Sequence, residues 1–309
     1  MGVLSSTVGV GREGGLVSDA KNRISQDSPD GLSQQEDFYK LGELLDEDVA
    51  YIRTWPVPDN ASLREFQEKQ LRWFCSMSRI VHRTEDYKGK PEYSELKKLA
   101  RAIEANCFEN THGAIETLAL PVMKELIRGC EKCLSDKKFM TSFCHYLSHQ
   151  LFRTKKIRDT TQQAMQAYPD GRELWGKYVE LYRRNSWFLS YRNAISLAHS
   201  LLSTITTDRH VYVRNDTPVD FITTDHPVIN IHDSALCSQP MAVPTGLDLY
   251  YPISPKYAYI ISSSDRYNGL SESITEVEVR HLNKLMAEKA YRNIYATSRA
   301  GLKGLVIKP

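Results

Sequence analysis

The sequence predicts an α+β fold, in which a mainly helical N-terminal two thirds packs on a small, mostly antiparallel sheet with a late helix. Three observations predict this fold. Apolar residues recur at helical spacing up to about residue 207, short β-branched and aromatic runs follow, and helical spacing returns after residue 273. Helices that precede the strands, instead of alternating with them, are typical of α+β proteins.

The two ends of the chain differ in composition. Residues 1–35 are rich in Gly, Ser and Asp and contain few large apolar side chains, so we expect a flexible tail there. We expect residues 36–309 to form a single α+β domain. Its helical part is predicted at 36–207, and its strand-rich part with the closing helix at 208–309.

The predicted helices follow runs in which apolar residues recur three or four positions apart. The segment Trp55–Pro58 divides the first two helices, and a Tyr-Pro-Asp-Gly turn at 168–171 ends a long one. The predicted helical ranges are 38–45, 62–79, 93–103, 115–134, 138–167, one or two helices within 174–203, and 273–296.

The predicted strands are short runs of β-branched and aromatic residues between turn signals. Their ranges are 210–213, 221–224, 228–231, 247–251, 257–262 and a last strand at 304–307.

Charge and hydropathy exclude several classes of protein. The 40 basic and 38 acidic residues leave a formal charge of +2, so no overall field attracts nucleic acid or an anionic membrane. The N-terminus does not resemble a secretory signal, and no apolar run is long enough to span a bilayer. We therefore expect a cytoplasmic protein without a membrane partner.

One candidate metal site combines cysteines with histidine. Two residues separate Cys130 from Cys133, and Cys144, His145 and His149 follow, so thiolates and imidazoles could complete a tetrahedral zinc site. The spacing lacks a second matched pair. Ordinary core thiols are the favoured interpretation, and zinc is the alternative.

A polar stretch on a largely apolar helix gives the first candidate active-site residues. Gln150 and Arg153 lie close in angle on this helix, and a buried arginine requires an anionic partner. Lys155, Lys156 and Arg158 extend a basic cluster that would contact phosphate or nucleic acid. The alternative is a solvated helix end with Arg153 in a structural ion pair.

A second candidate lies where a predicted strand meets a proline turn. Asp225 could orient His226, hold a divalent metal, or accept a charge from Arg153. The alternative is a turn in which Asp225 caps nearby backbone amides.

Five short motifs, in order, resemble landmarks of the domain-of-unknown-function 4238 (DUF4238) family over about residues 36–300. The motifs are Glu109–Glu116, Gln150–Thr154, Thr223–Val228, Tyr251–Pro255 and Val279–Asn283, the last being followed by Ala290–Arg292. The chain departs from the family pattern at the N-terminus, where it lacks a His-Tyr-x-Pro-Gln element. The family supplies no settled activity. The resemblance marks Gln150, Arg153, Thr154, Asp225, Pro227, Ser254 and Asn283 as positions of interest.

We therefore expect an enzyme that acts on a phosphate-containing substrate, nucleic acid or a nucleotide, with nuclease-like chemistry and a toxin or antiviral-defence setting. Arg153 would stabilise phosphate charge, Asp225 would bind a divalent cation or act as base, His226 would be the acid, and Gln150 would orient substrate or water. The predicted substrate-binding residues are Thr154, Lys155, Lys156, Arg158 and Asn283.

The rival hypothesis is a non-catalytic binding or regulatory protein, with a protein partner or a second copy of itself. In that case Arg153 and Asp225 would pair and lock the helices against the sheet.

Overall fold

The computed structural model describes residues 15–19, 23–27, 39–57, 60–167, 173–236 and 244–307. Helices dominate the first two thirds of this part of the chain, and strands dominate the rest, so the predicted α+β class is confirmed. The helices are α1 (Asp46–Arg53), α2 (Ala61–Arg83), α3 (Tyr93–Ile127), α4 (Lys137–Phe152), α5 (Lys155–Ala167), α6 (Glu173–Ser203), α7 (Asp233–Leu236), α8 (Glu276–Glu288) and α9 (Arg299–Leu302).

The strands of the described residues form two antiparallel sheets of four strands each, in the orders β2-β1-β8-β4 and β3-β7-β6-β5. We call these sheet A and sheet B. The strands are β1 (Gly15–Asp19), β2 (Ile24–Asp27), β3 (Arg209–Arg214), β4 (Thr223–Thr224), β5 (Ile229–Asn230), β6 (Asp248–Ser254), β7 (Tyr257–Ser262) and β8 (Asn293–Ala296).

The expected flexible tail is wrong for residues 15–19 and 24–27, which form β1 and β2. Strand β1 pairs antiparallel with β8, with Val17 opposite Tyr295, and β2 pairs with the other edge of β1. Val17 is buried because this pairing places it against the rest of the protein. Residues 1–14 of the predicted tail lie outside the described residues.

The long helix α3 replaces two separately predicted helices. The stretch between them stays helical because Cys107, Phe108 and His112 face the core, and Pro121 is accommodated inside the helix. Gly129 then ends the helix with a positive φ of 87°. Its amide donates to Leu126, and the Cys130 amide donates to Glu125, which is the Schellman arrangement that satisfies free carbonyls at a helix end.

A kink in α6 brings the segment before α1 into close contact. Asn185 has non-helical angles (φ −132°, ψ 35°), and its side-chain amide donates to the carbonyl of Glu43 at 2.6 Å. Gly42 lies so close to the Arg184 carbonyl that a Cβ atom there would be 1.9 Å away. Arg184 in turn binds Asp48 of α1 at 2.7 Å, so the kink anchors the start of the helical part.

The helical part packs directly on sheet B. Helices α3 and α4 contribute Met123, Phe143 and Leu147 to an apolar cluster that includes Tyr251 and Tyr259 of β6 and β7. The Phe143 and Tyr259 rings meet edge to face, with centroids 4.9 Å apart. This contact fixes α4, whose C-terminal end carries the candidate site.

Two further predicted elements, both in the last part of the sequence, differ from the structure. The predicted strand at 304–307 is wrong, since these residues follow α9 without pairing in either sheet, although Ile307 is buried. The predicted helix 273–296 ends at Glu288, and the last residues of that range form β8.

No helix of the described residues is sufficiently long and apolar to cross a membrane.

Candidate functional site

The site forms where the predicted long helix 138–167 breaks. Helix α4 ends at Phe152 and α5 begins at Lys155, so Arg153 and Thr154 occupy a two-residue break. The Arg153 amide still donates to the His149 carbonyl, whereas the Thr154 side-chain oxygen accepts the Ile157 amide at 3.4 Å. Threonine suits such a helix start because its hydroxyl can accept from the first turn. Both residues of the break are buried.

Arg153 forms a buried ion pair with Glu116 of α3. The distance from Arg153 Nη1 to Glu116 Oε1 is 2.5 Å, and the side chains are 9% and 5% exposed. The expected pairing of Arg153 with Asp225 is therefore wrong. The Tyr39 hydroxyl adds a hydrogen bond to the Arg153 carbonyl at 3.3 Å.

Beside this ion pair lie polar side chains whose hydrogen-bonding atoms have no partner among the described residues. They are His112 (Nδ1), His149 (both ring nitrogens) and Gln150 (both amide atoms). His149 is 3% exposed and Gln150 1%. The His112 and His149 rings meet at 5.5 Å, and the Tyr39 ring lies 4.9 Å from His112. Unpartnered buried polar groups are costly, so such a concentration requires a reason.

Burial and the arginine charge keep both histidines neutral. Burial, with smaller contributions from His145 and Arg153, lowers the pKa of His149 to about 3. Burial, Arg153 and His149 lower the pKa of His112 well below its ordinary value. Burial raises the pKa of Tyr39 to about 12, against the opposing effect of Arg153. At neutral pH both rings are therefore neutral and weakly basic.

Thr154, the second residue of the break, contacts His226. Its hydroxyl lies 2.9 Å from His226 Nδ1, and the Thr224 hydroxyl accepts the His226 amide at 3.1 Å. Burial, followed by the charges of Lys156 and Lys289, lowers the pKa of His226 to about 3. The structure thus brings the predicted residues Thr154 and His226 together. The His226 ring is neutral, whereas the sequence interpretation expected it to act as the acid.

Asp225 binds backbone amides. Its carboxylate accepts the amides of Tyr291 at 2.8 Å, Arg292 at 2.7 Å and Asn293 at 3.1 Å. Burial raises the pKa of Asp225, while these three amides and Lys156 act in the opposite direction. Asp225 therefore caps backbone, as in the alternative, but the amides belong to the start of β8 and not to its own turn.

Asn283 likewise serves the backbone. Its side-chain oxygen accepts the Ile222 amide at 3.1 Å, and its nitrogen donates to the Asp220 carbonyl at 2.9 Å. Ser254 accepts the Tyr257 amide at 3.1 Å beside an irregularity in β6. Asn283 thus joins α8 to the loop before β4, and Ser254 stabilises the turn between β6 and β7.

The predicted basic cluster spreads around the first turn of α5. Lys156 Nζ donates to the Ala290 carbonyl at 2.9 Å, and Lys155 Nζ lies 5.9 Å from the Tyr291 ring centre. Arg158 binds Asp159 at 2.9 Å. The cluster therefore faces the loop between α8 and β8.

The cysteines do not form the alternative zinc site in the described part of the chain. Cys130 precedes a short 3₁₀ turn that contains Cys133, whereas Cys144 is fully buried on α4 next to His145. In the described ranges no three His, Cys, Asp or Glu side chains are grouped to hold a metal ion, and this covers Asp225 also. Cys144 is an ordinary core thiol whose sulfur lies 3.8 Å from that of Met140.

The sequence interpretation missed Glu116, His112, Tyr39 and Lys289. A signal existed for the first two, because His112 and Glu116 are four residues apart on one helix and therefore share a face. His149 was considered only as a zinc ligand. Its approach to His112 depends on the packing of α3 on α4, which spacing along the chain does not encode.

The fold and site define an α+β protein with a buried Arg–Glu pair and unpartnered polar side chains at a helix break. The chain belongs to the family described as "Protein of unknown function (DUF4238)", whose model matches residues 16–300. Neither a search of curated proteins nor one of solved structures found a match.

Proposed function

We propose that this protein is an enzyme that acts on a phosphate-containing substrate, nucleic acid or a nucleotide, by nuclease-like hydrolysis. The observation that carries the proposal is that His112, His149 and Gln150 lie beside Arg153. All four side chains are more than nine-tenths buried, and the first three have atoms without a partner in the described part of the chain. Proteins keep such destabilising groups mainly where function needs them. A role in a toxin or antiviral-defence setting stays a prediction from the sequence.

Arg153 is the group best suited to phosphate. Glu116 fixes one terminal nitrogen of its guanidinium group, and the fork of N–H donors on a guanidinium group matches phosphoryl oxygens. A low-dielectric setting strengthens that interaction, particularly as negative charge develops in the transition state. Glu116 would be a positioning residue.

His149 is the candidate proton acceptor because both of its ring nitrogens have no partner in the described part of the chain. Burial makes the ring a weak base in the free protein, and a bound phosphate, being anionic, would raise the pKa of His149. In the proposed reaction a water oxygen bonds to phosphorus and one water proton passes to His149. The bond from phosphorus to the ester oxygen breaks, the ester oxygen takes a proton from solvent, and His149 then releases its proton to solvent. The Gln150 amide would orient the water or the substrate.

The other predicted residues take supporting roles in this proposal. Thr154, Lys155, Lys156 and Arg158 would contact substrate phosphates next to the break, while Asn283 and Asp225 hold the surrounding loops. Asp225 leaves the expected catalytic set because three backbone amides already occupy its carboxylate oxygens.

The test is hydrolysis of labelled RNA, DNA and nucleotides, with Mg²⁺, Mn²⁺ or a chelator present. We expect turnover by the wild-type protein and a loss of about 100-fold or more in His149→Gln, since proton transfer by a positioned group typically contributes that much. Lys98→Gln, which removes an exposed lysine on α3, is the matched control and should retain full activity. Equal turnover in His149→Gln and wild type would overturn the proposal.

A non-catalytic binding or regulatory protein is the second candidate. The observation that favours it is that Arg153, Asp225 and Asn283 each connect separate elements through satisfied contacts. In that case no substrate would be turned over, and ligand binding would persist in folded His149→Gln protein.

A further inference from the structure

Lys156 approaches the backbone next to Lys289, and neither lysine forms a salt bridge in the described part of the chain. Lys156 Nζ, on the first turn of α5, donates to the carbonyl of Ala290, the residue that follows Lys289. Lys289 Nζ donates to the Ala235 carbonyl at 2.9 Å. Neither ammonium group forms an ion pair within the described ranges, and each keeps two further N–H donors.

Two carboxylates attract these lysines. Asp225 attracts Lys156, although its oxygens also accept three backbone amides. Glu288 attracts Lys289 from the adjacent position. Both lysines are half-buried, and burial lowers the pKa of each, with Lys289 lowering that of Lys156 further. Two half-buried like charges repel each other, and a bound anion relieves that repulsion.

His226 provides a neutral donor at the same place. His226 lies beside the same backbone segment, because the carboxylate of its neighbour Asp225 accepts the amides of Tyr291 and Arg292 and the Thr154 hydroxyl contacts the His226 ring. The Thr154 hydroxyl lies 2.9 Å from His226 Nδ1 but 3.5 Å from the Leu151 carbonyl, which favours donation to Nδ1. The proton of the neutral ring is then on Nε2, where it can be donated to an anion.

Helix α5 adds to the positive field. The helix has 13 residues and begins at Lys155, so its N-terminus lies beside the same lysine pair. Backbone amides and the helix dipole at such an end favour negative charge.

We propose that Lys156, Lys289 and His226 form an oxyanion site that binds a phosphate group. Two ammonium charges match a phosphate dianion, and the histidine N–H and the start of α5 add donors. The site would bind phosphate whether or not the protein catalyses a reaction. Its test is therefore independent of the hydrolysis assay.

The experiment measures the thermal stability and calorimetric affinity of the full chain with inorganic phosphate. Two further ligands are an oligonucleotide with a 5′-phosphate and the same oligonucleotide without it. Comparison of the three ligands distinguishes binding of free phosphate, of a terminal phosphate and of backbone phosphate. We expect phosphate to raise Tm of the wild type, and Lys289→Met to lose about tenfold or more in affinity. Unliganded Lys289→Met should melt no earlier than wild type because the lysine repulsion is gone.

Two variants complete the test. Lys284→Met removes an exposed lysine of the same helix and should bind phosphate like the wild type. Lys289→Arg keeps the charge and should retain most of the affinity, and Lys156→Met should repeat the loss if Lys289→Met fails to fold. Unchanged phosphate affinity in Lys289→Met or in Lys156→Met, or no Tm shift of the wild type with any of the three ligands, would overturn the proposal.

Discussion

The guanidinium group of Arg153 and the carboxylate of Glu116 lie 2.5 Å apart in the protein interior and join α4 to α3. Burying two charges is costly, and the pair is tolerated because each neutralises the other. Whatever else Arg153 does, its position depends on Glu116. Substitutions of the two residues must therefore be interpreted together.

Arg153→Met should destabilise the protein by about 3–5 kcal/mol, because Glu116 would be left as an uncompensated buried charge. The double variant Glu116→Leu/Arg153→Met should recover most of that loss. Urea denaturation of the two single variants and the double variant measures the coupling. Additive effects would show that the ion pair does not link the two helices.

Gln150→Leu should raise the free energy of unfolding by about 1–3 kcal/mol, since the amide of Gln150 has no hydrogen-bond partner in the described part of the chain. The same variant should lose hydrolytic activity. A higher Tm together with lost activity is expected when a residue is needed for function but destabilises the fold. A lower Tm would mean that the amide makes stabilising bonds, and would point to a structural residue.

Acid should unfold this protein well above the pH at which carboxylates titrate. His149 and His226 have pKa values of about 3 when folded and ordinary values of 6.5 when unfolded. Between these values the unfolded chain binds more protons, so stability is complete above pH 6.5 and falls as the pH drops towards 3. Each histidine contributes about 1.4 kcal/mol per pH unit.

Denaturant titrations at pH 7.5, 6.0 and 5.0 measure this slope. His149→Phe should reduce the slope of the unfolding free energy against pH by the equivalent of about one proton. A substitution of the exposed His281 should leave this slope unchanged. Equal stability at the three pH values would contradict neutral, buried histidines.

Gly42→Ala should destabilise the protein by more than about 3 kcal/mol, because its Cβ would lie 1.9 Å from the Arg184 carbonyl and the backbone would have to separate. Gly176→Ala is the matched control. A Cβ at Gly176 meets nothing within 4 Å, so alanine should stabilise α6 by about 0.5–1 kcal/mol. Thermal melts of both variants decide whether the close approach at the kink is required.

The sequence predicted the class of fold and most strands because their signals are local. Tyr257–Ser262 is strand β7 with the predicted bounds, since its aromatic and β-branched run is long and a turn bounds each end. The break at Arg153 was not predicted. Apolar spacing continues across it, and the break depends on what Thr154 and Arg153 contact in three dimensions.

The candidate residues were found more readily than their partners. Gln150 and Arg153 are buried as expected, but the sequence paired Arg153 with Asp225, about 70 positions away, when the partner was Glu116 on the preceding helix. Charge complementarity indicates that Arg153 has an acidic partner. Helix packing determines which residue that partner is. Strands β1 and β2 were missed because their few apolar residues gain burial only from β8.

Sheet A joins residues from opposite ends of the chain, with Val17 of β1 opposite Tyr295 of β8. During synthesis, β1 leaves the ribosome together with its neighbour β2 but long before its other neighbour β8, because α1 to α8 are made in between. Closing so large a loop costs conformational entropy, and only contacts that form late in synthesis offset it. We therefore expect the helices to fold first during translation and sheet A to be completed last, so that a ribosome stalled before residue 293 would carry β1 without its β8 neighbour.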